Sequence, residues 1–453
     1  MRKTDRNMVI QKGDKKVIRG WVMYDWANSV YQLTITTAIF PLYFLEVTRI
    51  GNNDHVNFFG QDIINSVLYS WSIAMAYLLV AGLTPLLSSL ADYTGRRKAF
   101  MRFFTLVGAI SCAALYFFDS KHIEIGVIFF TLATVGYGGS LVYYNSFLPV
   151  IVEKEDQDKV SARGYSMGYL GGIVLIIFNL FLIQKKELFG ITDGTLPAKI
   201  SFVSVGVWWI AFSQITFKRL PKYTFRKRRK DLETNIFFEG YSELNKVFQE
   251  VIKSKKFSLF LIGFFFVMMG VITTMFMAVT FGKKEVGLSD DILIPVLLII
   301  QLVGMLGAWI FSRLSGKIGN LKALIISIGI WVVVCTGASA IVNATQFIIA
   351  AFFIGLVMGG TQSLARSTYS KMIPATSTDH TSYFSFYDVM EKLASVAGMF
   401  SWGLMEAITG NMRYSVAAIG IFFAIGIVFL GVTLYFELQQ KHQAKPVTIK
   451  VKP

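Results

Sequence analysis

The 453-residue sequence is poor in what a soluble fold needs and in what most enzymes use. Only 16% of its residues are charged against 54% hydrophobic, and mean hydropathy is +0.54. Apolar runs near 20 residues recur throughout, which excludes a single soluble fold. The two cysteines, Cys112 and Cys335, each sit inside an apolar run, so they build no disulfide framework and no metal-ligand spacing. The four histidines, His55, His122, His380 and His442, fall in predicted loops or the tail, which argues against a buried imidazole relay. No GxxxxGK(S/T) loop, HExxH or GxSxG occurs. ATP-driven pumping by this chain alone is therefore not expected, nor is any catalytic residue, metal or cofactor. The first apolar segment is long enough to span and lacks a small-residue cleavage site, so it reads as a retained helix rather than a signal peptide.

Acidic residues are scarce as well, 28 against 44 Lys and Arg, and the positive charge is clustered. Seven basic residues fall in the first 19 positions. Twelve stand against five acids between Lys218 and Lys256, including RKRRK at Arg226 to Lys230, and four lysines follow Tyr435. Loops expected on the opposite side, Thr48 to Asp62 and Asn343 to Gln346, are nearly free of it. A membrane topology with both termini cytoplasmic explains this asymmetry, and no nucleic-acid partner is needed to do so.

The expected fold is an all-α polytopic membrane protein of twelve transmembrane helices arranged as two six-helix bundles. Spans are predicted near 21–46, 66–91, 99–118, 124–149, 164–183, 199–217, 257–281, 291–315, 323–343, 346–369, 383–408 and 414–436. The chain then divides into a basic cytoplasmic N terminus (1–20), an N-terminal bundle (21–217), a basic cytoplasmic central loop (218–256), a C-terminal bundle (257–436) and a cytoplasmic tail (437–453). Within the central loop Leu244, Val247, Phe248, Val251 and Ile252 keep helical spacing, which predicts an amphipathic helix lying on the lipid surface.

The halves resemble each other. ADYTGRRKA at Ala91 aligns with SGKIGNLKA at Ser315, YNSFLP at Tyr144 with YSKMIP at Tyr369, and Tyr165 with Tyr387. The common offset of 222–225 residues argues for a tandem duplication. Duplicated bundles of this kind place a solute site between the repeats, near the bilayer midplane.

Polar residues inside the spans locate that site, because a polar row facing lipid costs kilocalories per group. Asp25, Asn28, Ser29, Gln32 and Thr36 fall at i, i+3, i+4, i+7 and i+11, one stripe of a helix. Asp25 reads either as a helix N-cap at the interface or as a cavity carboxylate, and the other four as interhelical bonds or cavity lining. In the second half Gln362, Arg366 and Tyr369 share a face. Arg366 either snorkels to the interface or receives a solute carboxylate. Asp388 and Lys392 form an i, i+4 pair with Glu391 beside them, an intrahelical ion pair or a titrating group, while Glu406 is a weaker candidate further along. Tyr144 and Asn145 open the YNSFLP block and Tyr387 lies next to Asp388; these complete the candidate set.

LADYTGRRK at Leu90 to Lys98 resembles the loop signature of the major facilitator superfamily through Asp92, Gly95, Arg96 and Arg97, with Ser88 where that signature has glycine. The resemblance implies a gating loop in which the aspartate latches the two halves. The second copy lacks the acid, so only the first latch is expected to be intact. The chain more specifically resembles the superfamily branch that includes the fungal vacuolar amino-acid effluxer linked to autophagy and bacterial homologues. That likeness rests on WVMYDWANSVYQLTITTAIFPLYF, PLLSSLADYTGRRK, YYNSFLPVIVEKEDQDKVSARGYSMGYLGG, GLVMGGTQSLARSTYSKMIP and FSFYDVMEKLASVAG. It departs at FVMMGVITT, where Met269 takes the place of an acid, and at Asp388, which replaces a commonly neutral residue.

The expected function is a secondary transporter that moves a small polar solute by alternating access in the lipid bilayer. The resemblance implies an amino acid or related metabolite, exported, and the compact central loop suggests a multi-pass protein of the bacterial plasma (cell inner) membrane. The intramembrane acids suggest protons as the coupling ion, with uniport open, and a monomer is expected. The alternative is a transporter-like sensor or scaffold acting through the basic central loop without net transport.

Overall fold

The computed structural model of the protein describes residues 12–49, 55–222, 236–374, 377, 380–409 and 411–443. The first helix begins earlier than the apolar run suggests. Asp14 accepts a hydrogen bond from the Lys16 N–H at 2.8 Å and caps α1 (Lys15–Val30). Asp25 thus lies well inside the helix, and the N-cap reading of that carboxylate fails. Asp14→Ala is expected to cost about 1 kcal/mol, seen as a modest fall in thermal midpoint with faster amide exchange at residues 15–18.

The helix then changes its winding. Tyr31–Ala38 is a π-helix, followed by α2 (Ile39–Val47). Four consecutive β-branched residues, Thr34 to Thr37, crowd an α-helical turn. The Thr37 hydroxyl donates to the Gln32 carbonyl at 2.9 Å, five residues back, and so serves backbone that lipid cannot solvate. A continuous 3.6-residue stripe was the expectation here; the wider turn is the difference. A second difference is a β-hairpin in the expected loop, β1 (His55–Phe58) paired antiparallel with β2 (Gln61–Ile64). Its turn residues Phe59 and Gly60 both have positive φ, +49° and +82°, the geometry that matches strand twist.

The remaining helices are α3 (Asn65–Thr94), α4 (Arg97–Ala114), α5 (Ile123–Ser146), the short α6 (Leu148–Ile151), α7 (Gln157–Gln184), α8 (Leu196–Arg219), α9 (Ile236–Lys253), α10 (Lys255–Lys284), α11 (Asp290–Ile318), α12 (Asn320–Ala338), α13 (Ala344–Met372), α14 (His380–Thr409) and α15 (Met412–Gln443). Among the described residues nine helices are long and apolar enough to cross a membrane: α4, α5 with α6, α7, α8, α10, α11, α12, α13 and α15. The rods α1–α2, α3 and α14 cover the other three expected spans. Large apolar side chains such as Phe103, Val207, Val333, Phe400 and Val428 stand exposed on the outside of the bundle, as a lipid-facing surface requires.

Among the described residues the largest apolar cluster draws on residues 244–434, with only Tyr165 and Tyr169 of α7 joining from the first half. Among the same residues two other clusters draw on residues 17–220, with only Leu298 joining from the second. Between the halves α7 packs on α11 and α13, while α14 packs on α3 and α5. Those two sets of contacts are the same arrangement read through the sequence repeat. Close approach within the second half depends on glycine: a Cβ at Gly359 would fall 1.9 Å from the Gly304 carbonyl oxygen, so α11 and α13 meet backbone to backbone. The amphipathic helix α9 docks on α3, α10 and α14. Val247 and Val251 are buried there, and Tyr383 of α14 donates to the Glu250 carboxylate.

Candidate functional site

Asp25, Asn28, Ser29, Gln32 and Thr36 all line one cavity between the halves, with about 160 Å³ open to the centre of a water-sized sphere. That is room for on the order of ten waters. Asn145 of α5, Gln362 and Arg366 of α13, and Tyr387, Asp388, Glu391 and Lys392 of α14 line the same space. The rods α1 and α14 carry four of its five charges. Tyr144 and Tyr369, which the repeat aligns, do not line the cavity; both stand behind it. Tyr144 donates to Asp25 Oδ2 at 2.6 Å and stacks on Trp21 at 4.4 Å between ring centroids. Tyr369 donates to the Tyr383 carbonyl at 2.5 Å and packs on Tyr387.

Arg366 forms the cavity floor. It is 2% exposed, so the snorkelling reading fails. Its Nε donates to Ser161 Oγ at 2.9 Å, and its Nη2 to the Ser161 carbonyl at 2.8 Å. Both terminal nitrogens reach Asp25 Oδ2, at 3.5 and 3.4 Å, and Nη1 also reaches Asn145 Oδ1 at 3.4 Å. All five N–H directions of the guanidinium are thereby taken. Rings of Tyr165, Trp21 and Tyr144 sit 4.2, 4.9 and 5.6 Å from its carbon and add cation–π contact. Gly164 leaves the space for this pair, since a Cβ there would fall 2.2 Å from Asp25 Oδ2.

On α14, Lys392 Nζ lies 3.5 Å from Asp388 Oδ1 and 3.3 Å from Glu391 Oε1. The intrahelical ion pair expected of this segment is therefore present, and its members also line the cavity. Sequence reasoning missed the tyrosines around these groups. Tyr137 donates to Gln32 Oε1 at 2.8 Å, Tyr169 donates to Gln362 Oε1 at 2.9 Å, and Tyr77 lies 5.6 Å from Lys392 Nζ. The i, i+4 spacing of Tyr165 and Tyr169 was the available signal.

The segment expected to be a gating loop is a tight turn between α3 and α4, with Gly95 at φ +65°, Arg96 exposed and Arg97 buried. The side chains of Asp92 and Glu406 lie outside the described residues. The second-half loop, expected to be without a latch, is bonded to an acid from the other half. Asp158 at the start of α7 takes Lys371 Nζ at 2.6 Å, Asn320 Nδ2 at 2.5 Å and Ser315 Oγ at 3.1 Å. In the sequence this aspartate is hidden in the charged run EKEDQDK, which reads as interfacial loop.

A family model described as vacuole effluxer Atg22 like matches residues 13–444. The chain belongs to that family. This Atg22-like protein is 29% identical over 412 residues to an uncharacterized MFS-type transporter, YxiO, of Bacillus subtilis, covering 90% of this chain and 93% of that one. It is 26% identical over 470 residues to autophagy-related protein 22 of Kluyveromyces lactis, covering 92% and 93%. In structure it is similar to the transporter FucP in its outward conformation, with a TM-score of 0.67 at 12% identity over 92% of this chain and 97% of that chain. The Atg22-like protein is thus a multi-pass membrane protein with the major facilitator fold, in a family of transporters.

Proposed function

We propose that this protein is a secondary transporter that moves a small polar solute by alternating access between two six-helix bundles, 21–217 and 257–436, joined by the 218–256 segment. The carrying observation is a polar cavity walled by both halves and tied shut toward the end where the described chain begins and ends. The ties described between the halves run from Tyr169–Gln362, about 16.5 Å along α7 from Asp158, through Arg366–Asp25 to Asp158–Lys371 at that end. With the termini cytoplasmic, as the basic clusters favour, this is an outward-open state, the conformation named for FucP. The solute is an amino acid or related metabolite, exported across the plasma membrane against a counterflow of protons carried by the cavity acids, with each monomer enclosing its own site.

The test is reconstitution of the purified protein in vesicles, with solute flux followed without nucleotide. Flux that speeds up in an opposing proton gradient is the expected result. A solute that stabilises the protein against heating yet never crosses the membrane would sink this reading in favour of a sensor.

A further inference from the structure

The charges lining the cavity do not balance. Among the described lining residues the acids Asp25, Asp388 and Glu391 stand against the two bases Arg366 and Lys392. Arg366 and Asp25 are spent on each other, so the surplus lies on α14, where two carboxylates share one ammonium at 3.3 and 3.5 Å. One oxygen, Asp388 Oδ2, is buried and has no hydrogen-bond partner, in a residue 5% exposed. From the other half Asn28, 1% exposed, brings a buried Nδ2 that also lacks a partner. Buried polar groups are nearly always satisfied, and a bare carboxylate in a low-dielectric cavity is costly. An orphan acceptor and an orphan donor lining one cavity therefore mark where the complementary groups of a ligand go. The walls agree, since Tyr31, Tyr77, Tyr137, Tyr165, Tyr169 and Tyr387 present aromatic rings, whose faces attract cations. The occupied guanidinium of Arg366 offers nothing to an anion.

We propose that the solute carries a protonated amine that binds Asp388 Oδ2, with an oxygen acceptor meeting Asn28 Nδ2, and that a proton takes the amine's place on Asp388 when the site is empty. This rests on the transport reading above and narrows it: the amine is what the site recognises, and a free carboxylate is dispensable. The charged and titratable groups around Asp388 are Lys392 and Glu391 on its own helix, with Tyr77 of α3 against Lys392 and Tyr137 of α5, Tyr165 of α7 and Tyr387 of α14 on the same cavity. The cavity-lining residues of α10 are uncharged, α15 contributes none, and Glu250 of α9 meets α14 at Tyr383. When the ammonium arrives, the Asp388 proton leaves to cavity water, so cation and proton exchange one for one.

The experiment uses the full-length purified protein and matched probes: alanine, serine, leucine and phenylalanine, each as the free amino acid, the methyl ester and the N-acetyl derivative. Thermal stabilisation reports binding. At least one free amino acid and its ester are expected to stabilise, while the N-acetyl forms, which lack the cation, do not. Asp388→Asn is expected to weaken that binding by roughly 10- to 100-fold, the worth of a charge-assisted hydrogen bond, read as the shift from the variant's own ligand-free midpoint. Asp388→Glu, which keeps the charge, retains it, and lowering the pH weakens binding to the wild type. Equal stabilisation by the N-acetyl forms, no stabilisation by any amine, or unchanged affinity in Asp388→Asn overturns the proposal. Flux of the same probes separates the two readings. Binding of amines without flux removes the transport reading and leaves the amine site standing; flux indifferent to acetylation does the reverse.

Discussion

Arg366→Ala is expected to lower the stability of the folded protein by about 3–5 kcal/mol, the usual cost of removing one partner of a buried ion pair. The Asp25 and Arg366 side chains are 8% and 3% exposed, and the pair joins α1 to α13 across the whole chain. Without the guanidinium, Asp25 keeps only the Tyr144 hydroxyl, and Ser161 and Asn145 lose their donor. A carboxylate left there, 8% exposed, is poorly solvated and keeps no counter-charge beside it. The double variant Asp25→Ala with Arg366→Ala is expected to recover part of the loss, because no charge is then left unpaired. Arg366→Lys should remain poor, since one ammonium cannot replace five N–H directions and a face stacked among three rings. Gly164→Ala supplies a test that leaves both charges in place, because its methyl would fall 2.2 Å from Asp25 Oδ2 and push the carboxylate away. The measurement is the thermal midpoint of the purified protein in detergent, with urea titration for the free energy. If Arg366→Ala cost less than about 1 kcal/mol, the level of an exposed pair, the pair would not be the buried tie described.

Asp158→Ala is expected to act on conformation rather than on global stability. Its carboxylate gathers three donors, Lys371, Asn320 and Ser315, all from the opposite half of the molecule. These bonds exist only while the ends of α7, α11, α12 and α13 are together, so they contribute to that state alone. Removing a charge-assisted set of this kind is worth about 1.5–3 kcal/mol, a shift of roughly 10- to 100-fold in the ratio of closed to open at this end. Spin labels on Lys159→Cys and Lys322→Cys, both exposed positions on opposite halves, read the separation directly. The native Cys112 and Cys335 are buried and do not compete for label. A longer population is expected to grow in Asp158→Ala and in Lys371→Ala, and the charge swap Asp158→Lys with Lys371→Asp is expected to reduce it again. Distance distributions identical to the wild type in both single variants would refute the latch.

These two ties show where sequence reading stops. Asp25, Asn28, Ser29, Gln32 and Thr36 were legible as one face because helical period alone groups them, and Asp388 with Lys392 because four residues separate them. Period says which face a residue shares, not what stands opposite. The neighbours of Arg366 are Asp25, 341 residues away, and Ser161, 205 away; no local pattern signals either. Asp158 was illegible for the same reason, its partners being 157, 162 and 213 residues distant. The π segment and the hairpin are a different kind of miss, since four β-branched residues in a row and a turn at Phe59–Gly60 are local signals.

What the sequence by itself determined is the helical membrane scaffold, its repeat and the polar faces of its helices. Lipid cannot satisfy backbone groups, so runs of apolar residues must become helices wherever they occur. What only the tertiary structure decided is which charges cancel: Arg366 is consumed by Asp25, Asp158 of the first half supplies the acid that the second-half loop lacks, and one carboxylate on α14 remains unmatched. Charge balance in a low-dielectric interior belongs to groups a few ångströms apart, and folding, not chain order, sets that distance.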